Sequence, residues 1–307
     1  MANPLTDKQF VRLLDDRLDK VYWGEYGEGL PPIIDSMYNV INDSKAWLEY
    51  YQTGDIPDPE EFNGIVQYQS FSPGYHTKIE PKEYAGGLVI QRRLLDTERY
   101  DIIENMAKKL GAAAKRKMNK MAHEPFIYAD STAFSFMTSE EGVALCSDSH
   151  TTKSGTSTTS GFDNLTTLAF DAPNLETMRI MGKQLRSDIS ERIDTNFDTI
   201  IHSTALAEDV WNVLNATGQT DSANNDLNFQ KGKWKSIELP YLDDFDTNDW
   251  FIVDSSKMKE HLKWINSVAL EFANIEDFDT LMRKYRDYFV VGLGFTDWRW
   301  IIQASAS

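Results

Sequence analysis

The chain has 307 residues, which suffices for two domains or for one domain with elaborations. Lys and Arg total 31 and Asp and Glu total 48, so the formal net charge is −17. That charge disfavours a protein that binds nucleic acid without sequence preference, because the neutralisation of phosphates requires a basic surface. The one cysteine excludes an intrachain disulfide framework, and the longest apolar run, 289–295, is far shorter than the about 20 residues of a membrane span.

The apolar content is low for a compact chain of this length. Apolar residues make up 41% of the sequence, and the mean hydropathy is −0.47. A small core with a large surface is typical of an extended subunit, or of one that completes its burial against neighbours. Because Asp7, Lys8 and Arg12 leave no apolar region near the N-terminus, no signal peptide is expected. We expect a soluble, folded protein that matures in a reducing compartment.

Charge is concentrated in three blocks. Residues 24–61 hold nine acids and one base, residues 91–124 hold nine bases and five acids, and residues 240–279 hold ten acids and three bases. Such blocks can be solvated faces. They can also be complementary patches that meet between subunits and set their register. The pattern alone leaves both interpretations open.

Residues 1–60 are predicted to form an arm with little regular structure beyond a short amphipathic start. Phe10, Leu13, Leu14 and Leu18 fall on one face of a helix. Glycines and prolines follow at intervals between residues 24 and 59, and these residue types interrupt regular structure. The composition therefore predicts an extended segment rather than a packed domain.

Residues 64–94 are predicted to form strands, including a hairpin that projects from the body. Two β-rich runs, 65–71 and 75–79, flank Ser72-Pro73-Gly74, and a Pro-Gly turn between such runs favours a hairpin. A third apolar run, Leu88-Val89-Ile90, follows. Because the hairpin carries few apolar residues to bury, we expect it to extend away from the body.

The clearest helix is predicted at residues 97–122. Apolar residues recur there at intervals of three and four and form one stripe: Ile103, Ala107, Leu110, Ala114, Met118 and Met121. Asp96 or Thr97 can cap the start of the helix, and Pro125 is expected to end it. At 1.5 Å per residue the helix would be roughly 39 Å long, so we expect it to act as a strut.

The remaining chain predicts an α+β protein with antiparallel pairing. A Ser/Thr-rich loop is predicted at 147–161. Helices are predicted at 173–193, after a cap at Ser203, and at 257–264. Strands are predicted at 199–202, 234–242, 250–253, 281–294 and 298–303.

Two candidate metal or catalytic motifs lack residues that their chemistry requires. Cys146 and His150 are four residues apart, but zinc requires three or four ligands and the segment is a polar loop. Asp244, Asp246 and Asn248 match positions 1, 3 and 5 of a calcium loop, whereas positions 6 and 12 are Asp249 and Ser255 instead of Gly and Glu. A polar turn between two strands is the simpler interpretation, with a weak cation site as the alternative.

The sequence contains no nucleotide-binding, Walker or zinc-protease motif, and no spacing singles out a carboxylate pair. We therefore predict no catalytic, cofactor-binding or metal-binding residue and no enzymatic activity.

The order of the predicted elements is distinctive as a whole. Five sets of segments carry a resemblance: 71–75 with 79–84, 96–114, 144–150 with 164–165, 238–242 with 249–254, and 285–294 with 297–299. In order and spacing they resemble the major capsid proteins of tailed bacteriophages, which share the Hong Kong 97 fold. Within that superfamily the chain is most similar to the Mu-type major head subunit group. The resemblance covers roughly residues 20–303.

The resemblance implies an α+β, Hong Kong 97-type capsid fold with five parts. These are an N-terminal arm (1–51), an extended loop hairpin (52–87), a peripheral domain (88–169) with the spine helix 97–122, an axial domain (170–285), and C-terminal strands that return to the peripheral domain (286–307). The chain starts directly with the arm, so no fused scaffolding segment is expected. The hairpin tip has no lysine, so a covalent lysine cross-link at the tip is not expected.

The resemblance further implies assembly residues in three groups. Tyr68, Phe71, Tyr75 and Lys78 belong to the extended loop. Lys108, Lys109, Lys115, Arg116 and Lys120 form a basic face on the spine helix. Glu49, Asp55, Asp58, Glu60 and Glu61 are the acidic residues expected to pair with that face on a neighbour.

The implied function is that of a major capsid protein, which assembles as pentamers and hexamers into an icosahedral shell around double-stranded DNA. The implied partners are copies of the chain itself, a portal, a separate scaffolding protein and a decoration protein, with no membrane and no cofactor. The expected location is the virion, and the host cytoplasm during assembly. The net negative charge then fits a wall that encloses DNA without binding it tightly. Two alternatives remain open: the shell protein of a bacterial nanocompartment, and a soluble hydrolase that uses acidic residues.

Overall fold

The computed structural model describes residues 7–27, 29–66, 68–91, 93–94, 97, 100–218, 227–277, 279–280 and 282–306, with side chains from residue 15 onward. The fold is α+β, as predicted. The helices are α1 Asp7–Tyr26, α2 Pro32–Met37, α3 Tyr100–Ile127, α4 Ala172–Lys183, α5 Ala207–Asn215 and α6 Ser255–His261. The strands are β1 Asn39–Asn42, β2 Leu48–Thr53, β3 Pro73–Ile79, β4 Lys82–Gln91, β5 Met137–Ser139, β6 Leu165–Thr166, β7 Thr199–His202, β8 Lys235–Glu238, β9 Trp250–Val253, β10 Leu262–Asp277, β11 Met282–Phe295 and β12 Ile301–Ala304.

A four-stranded sheet in the order β1-β10-β11-β4 is built around one long hairpin. β10 and β11 pair antiparallel over most of their length, β4 pairs antiparallel with β11, and β1 pairs parallel with β10. The sequence analysis missed β10, the longest strand described. Its signal is the alternation of Val268, Leu270 and Phe272 with Ala269 and Glu271, which is the period of a strand with one buried face.

The predicted spine helix is confirmed as α3, with different bounds. It extends to Ile127 and includes Pro125 in its last turn. Pro125 has no N–H to donate to the carbonyl of residue 121, so that backbone bond is missing, and the helix ends two residues later. Of the proposed caps, Asp96 lies outside the described residues, and the Thr97 hydroxyl donates to the Arg93 carbonyl instead (2.7 Å). The predicted stripe is buried except Leu110, which is half-buried.

The prediction of little regular structure over 1–60 is wrong. α1 is a 20-residue helix that packs along α3, and α2, β1 and β2 follow it. Leu18, Tyr22 and Tyr26 are buried against the body, so this part of the chain is anchored through aromatic side chains. Gly111 on α3 allows the close packing of α1 on α3, since a Cβ at this position would lie 2.8 Å from the carbonyl oxygen of Tyr22.

A five-stranded sheet in the order β6-β12-β9-β7-β8 holds the main core. β7, β9 and β12 are buried at every position. Pairing is mixed, because β12 is parallel to β6 and β7 is parallel to β8. The predicted antiparallel pairing holds in this sheet for β9 with β12 and with β7, but not for these two pairs. Phe126 at the end of α3 packs edge-on against Phe251 and Trp300 and joins the helix to this sheet.

The predicted hairpin differs in register from the observed one. Its strands are β2 and β3, which pair antiparallel, with β5 on the other side of β3. Pro73 and Gly74 lie at the start of β3 rather than in a turn, and residues 54–66 and 68–72 have no helix or strand. Pro73 is tolerated as the first residue of its strand.

Two predicted helices are corrected. α4 ends at Lys183 rather than residue 193, and the chain then turns back through Ser190, whose φ of 66° lies in the left-handed region. Ser203 does not cap α5, and its hydroxyl instead donates to the Thr247 carbonyl. The Ser/Thr-rich segment 147–161 has no helix or strand, as predicted.

Three of the predicted domain boundaries fall inside strands: 51/52 in β2, 87/88 in β4 and 285/286 in β11. β12 pairs with β9 and β6 in the five-stranded sheet. The division into arm, extended loop, peripheral domain and axial domain stays a prediction.

Candidate assembly surfaces

The segment 54–72 between β2 and β3, here called the outer loop, exposes large apolar side chains. Tyr68 is 94% exposed, Ile65 75% and Phe62 72%. Ile56, Val66 and Phe71 are also exposed. Apolar side chains clustered on one surface are typical of an interaction site, because a single folded chain gains nothing by leaving them in water.

Two of the four predicted extended-loop residues, Tyr68 and Phe71, lie in this outer loop. The other two lie on β3 and are held within the chain. The Tyr75 hydroxyl is 2.7 Å from Oγ1 of Thr151, and Lys78 forms an ion pair with Glu80 while its Nζ lies 4.8 Å from the Trp47 ring centre. Tyr75 and Lys78 thus lie at the base of the loop, whereas Tyr68 and Phe71 face solvent.

The outer loop leaves the body from a fixed base. The Gly54 amide donates to the Ser72 carbonyl (2.8 Å), and the Asp55 amide donates to the Asp188 carboxylate (2.9 Å). The Gln52 side chain donates to the Thr296 carbonyl. These contacts join both ends of the loop to each other and to the body, so the starting direction of the loop is set within one chain.

The five predicted acidic assembly residues are all exposed. Glu49 accepts a hydrogen bond from the Tyr51 hydroxyl (2.8 Å) and lies 3.8 Å from Nε2 of His76. Within the described residues, the carboxylates of Asp55, Asp58, Glu60 and Glu61 form no ion pair. Their charge is therefore uncompensated in the isolated chain.

The predicted basic face lies on the solvent side of α3. Lys108, Lys109, Arg116 and Lys120 are exposed, and Lys115 is half-buried. Among the described side chains none of the five pairs with a carboxylate, although Nζ of Lys120 lies 5.7 Å from the Tyr241 ring centre. The structure brings these residues together along one helix but does not bring them to the acidic residues of the same chain.

Sequence reasoning missed the aliphatic and aromatic residues of the outer loop, Ile56, Phe62, Ile65 and Val66. Their signal was weak, because they follow no helical or strand period. The available indication was their occurrence in an acidic, proline-containing stretch, where large apolar residues have no core to join.

The segments that carried the family resemblance meet at Asn164, which is fully buried. Its side-chain amide donates to the carbonyls of Leu145 (2.9 Å) and Ile301 (3.1 Å). Its oxygen accepts from the Ser147 amide (2.7 Å) and lies 3.1 Å from Nε2 of His150. Asn164 therefore links the Ser/Thr-rich segment 147–161, through Ser147, to β12, through Ile301.

Cys146 and His150 do not form a nucleophile–base pair. Nδ1 of His150 lies 3.0 Å from Oε1 of Glu141, its Nε2 faces Asn164, and its ring stacks on Trp298 at 4.0 Å between centres. Cys146 is buried, and burial raises the pKa of its thiol well above the usual value. A buried thiol held in its neutral form is a poor nucleophile.

The acidic run at 243–249 has the contacts of a turn. The Asp243 carboxylate accepts from the Thr204 amide (2.9 Å), and that of Asp246 accepts from the Asn248 amide (2.8 Å). In the part of the chain that is described, no three His, Cys, Asp or Glu side chains are grouped to hold a metal ion. The arrangement supports the turn interpretation.

A cavity of about 650 Å³ lies beside the base of the outer loop. Five carboxylates line it, those of Asp55, Glu141, Asp188, Glu260 and Asp297, and three of them are engaged in structural contacts. Glu141 bonds to His150, Asp188 accepts from the Asp55 amide, and Asp297 accepts from Arg299.

The geometry places exposed apolar groups and unpaired acidic groups together in the outer loop, and unpaired basic groups on α3 of the same subunit. A subunit of this kind belongs to the class of proteins that complete their burial against further subunits. No helix of the described residues has the length and apolarity needed to cross a bilayer.

A family model described as phage capsid protein matches residues 75–304, which is 230 of the 307 residues. The chain therefore belongs to the phage capsid protein family. No curated protein matches the sequence. Solved structures match at low identity: the capsid of a native GTA particle (TM-score 0.56, 10% identity, 92% of each chain) and the capsid of cyanophage Pam1 (TM-score 0.53, 9% identity, 92% of this chain and 91% of that chain). The capsid of Ralstonia phage GP4 matches with a TM-score of 0.52 and 10% identity over 89% of this chain and 91% of that chain.

These findings confirm the predicted class, a major capsid protein with a Hong Kong 97-type fold, and they do not favour the nanocompartment alternative. Family and fold are those of a structural protein that assembles into a shell. The finer similarity to the Mu-type group stays a prediction.

Proposed function

We propose that this chain forms pentamers and hexamers of an icosahedral shell that encloses double-stranded DNA, and that the outer loop within the predicted extended-loop segment 52–87 extends over an adjacent subunit. The observation that carries the second part is the exposure of the outer loop. Fully burying an aliphatic or aromatic side chain contributes about 1.5–3 kcal/mol, and the chain leaves several of them in water.

The unpaired charges support a specific register for this contact. The carboxylates of Asp58, Glu60 and Glu61 lie in the outer loop, and the basic face of α3 presents Lys108, Lys109 and Arg116. In the proposed shell the acidic segment of one subunit lies against the basic face of the next. Because the opposite charges belong to different copies, the attraction acts only on assembly.

The shell has no membrane component in this proposal, and its other partners are a portal, a separate scaffolding protein and a decoration protein. Assembly takes place in the host cytoplasm, and the finished shell is part of the virion. The net charge of −17 suits a wall that encloses DNA without adhering to it, since adhesion would impede filling.

The outer loop is tested by replacing Phe62, Ile65, Val66 and Tyr68 together with serine. We expect the yield of closed shells, counted by electron microscopy, to fall at least tenfold. Melting of the subunit should change little, because substitutions at exposed positions usually alter the free energy of unfolding by about 0.5 kcal/mol or less.

The matched control replaces Asn63, Gln69 and Ser70 of the same loop with alanine and should assemble like the wild type. If the serine variant forms shells at wild-type yield, the outer loop does not carry the contact between subunits.

A further inference from the structure

A second exposed apolar surface lies far along the chain from the outer loop, at α5. The helix is amphipathic: Val210 and Val213 are buried, whereas Trp211 is 64% exposed. Trp211 is the large apolar residue on the exposed side of this helix, and tryptophan is enriched at the centres of protein interfaces.

The segment after residue 226 places two more apolar side chains at the C-terminal end of α5. The Asn228 side chain donates to the carbonyls of Val213 (2.6 Å) and Ala216 (3.0 Å). Its neighbours Leu227 and Phe229 are exposed, Leu227 at 83%. The apolar part of the surface therefore continues from the helix onto this segment.

The two ends of this surface carry opposite charges. Glu208 and Asp209 are exposed in the first turn of α5, and Asp244 is exposed on the turn bonded to this end through Asp243 and Thr204. At the other end, Nζ of Lys231 bonds to the Thr217 hydroxyl (3.0 Å), and Nζ of Lys233 lies over the Phe229 ring. Neither lysine pairs with a carboxylate among the described residues.

The helix rise separates the two ends by about 10 Å, with Trp211 between them. Acidic residues at a helix start also stabilise the helix itself, so their position alone indicates no partner. A partner is indicated by the acidic residues together with the exposed apolar centre and the basic residues at the opposite end. We name Glu208, Asp209, Trp211, Phe229, Lys231 and Lys233 the α5 surface.

We propose that the α5 surface is a head-to-tail contact between copies of this chain around the axis of a ring, with the acidic end of one subunit against the basic end of the next. Because each subunit carries both ends, the contact repeats without a second kind of partner, and it closes when the rotation between subunits closes. This inference rests on the proposed shell function and identifies a second contact within it.

The test reverses charges at each end and then at both. The variants Glu208→Lys with Asp209→Lys, and Lys231→Glu with Lys233→Glu, should each lower the yield of rings and shells at least tenfold. The fourfold variant restores opposite charges across the contact and should recover most of the yield. Glu208→Gln with Asp209→Asn separates loss of attraction from disturbance of the helix start, and circular dichroism and thermal melting report folding of every variant.

The apolar centre has its own pair of variants. Trp211→Ser should lower the yield at least tenfold, whereas Trp211→Phe keeps an aromatic ring and should retain most of it.

Two results would overturn the α5 contact while the shell function stands. One is wild-type shell yield in both charge-reversal variants. The other is a folded fourfold variant that assembles no better than either twofold variant. A wild-type chain that stays monomeric under all assembly conditions would instead overturn the shell function.

Discussion

Asn164 shows how a single polar side chain can organise distant segments. It bonds to backbone groups of residues 145, 147 and 301, which belong to a loop and a strand far apart in the chain. Each of these groups is costly to leave without a partner once it is buried, by about 1–3 kcal/mol. The sequence suggested that the surrounding segments belong together, but only the structure identifies the residue that joins them.

Asp249 is a buried carboxyl group with an unusual proton affinity. Burial, reinforced by the nearby Asp246, raises its pKa to about 6. Its Oδ2 accepts from Nε2 of Gln303 (3.2 Å), while Oδ1 is buried and has no partner among the described residues. The folded protein therefore holds a proton on Asp249 at pH values at which the unfolded chain has released it.

We predict that Asp249→Asn stabilises the protein near pH 7. A carboxyl pKa raised on folding favours the native state below the unfolded value near 4, and this contribution is lost as the pH rises through about 6. The free energy of unfolding of the variant should exceed that of the wild type by about 1–3 kcal/mol at pH 7.5, and the difference should shrink towards pH 4. Urea unfolding across this pH range measures it.

The exposed Asp244 provides the control, because Asp244→Asn should leave the same pH profile unchanged. A difference between wild type and Asp249→Asn that does not vary with pH would show that the carboxyl group is not the cause.

At the scale of elements, the crossing of α1 and α3 depends on a missing side chain. Gly111 faces the backbone of Tyr22, and a Cβ at this position would lie 2.8 Å from that carbonyl oxygen. Backbone atoms cannot rotate away as a side chain can, so the helices would have to move apart.

We predict that Gly111→Ala lowers the free energy of unfolding by about 1–3 kcal/mol, the usual cost of overpacking, despite the higher helix propensity of alanine. Gly24→Ala on α1 is the matched control. It meets no atom within 4 Å and should stabilise the protein by about 0.5–1 kcal/mol. Thermal and chemical unfolding of both variants would decide, and equal effects of the two substitutions would contradict the close-packing argument.

The elements that the sequence predicted well are those with a strong local pattern. α3 has a stripe of apolar residues over several turns, and β7 and β9 match their predicted ranges. The errors arose in segments whose secondary structure or strand register depends on contacts with residues far away in the sequence. α1 is stabilised by packing on α3, and the strands of the hairpin take their register from β5 and the body rather than from Pro73-Gly74.

The assembly residues were predicted less evenly than the elements. The charged groups were visible as blocks in the sequence. The exposed residues of the outer loop and Trp211 were not, because a large apolar residue in a sequence is first expected in the core. The exposure of these side chains in the structure shows that they lie outside the core.

At the scale of the whole molecule, the charge blocks predict contacts between subunits. In a structure of the assembled shell, at least one of Asp55, Asp58, Glu60 and Glu61 should lie within 4 Å of a nitrogen of Lys108, Lys109, Lys115, Arg116 or Lys120 on a neighbour, since about 4 Å is the usual limit for an ion pair. Electron cryomicroscopy of the particle provides the measurement. A shell in which the acidic segment faces solvent, or in which both partners belong to the same chain, would contradict this arrangement.

The low apolar content of the chain agrees with the way in which its apolar residues are distributed. The buried residues form one main core beneath the five-stranded sheet and a smaller cluster around Leu18, Ile103 and Tyr285. Other large apolar residues remain outside both. In the proposed shell these exposed apolar residues are the ones that another subunit covers.

The mixture of acidic and apolar residues in the outer loop also affects the subunit before any shell exists. A segment with bare apolar side chains would tend to aggregate with its own copies. In this chain Asp55, Asp58, Glu60 and Glu61 stand close in sequence to Ile56 and Phe62, so two free outer loops repel each other. In the proposed shell we therefore expect the newly made protein to accumulate in solution, and nucleation to begin when the loop reaches a surface of opposite charge.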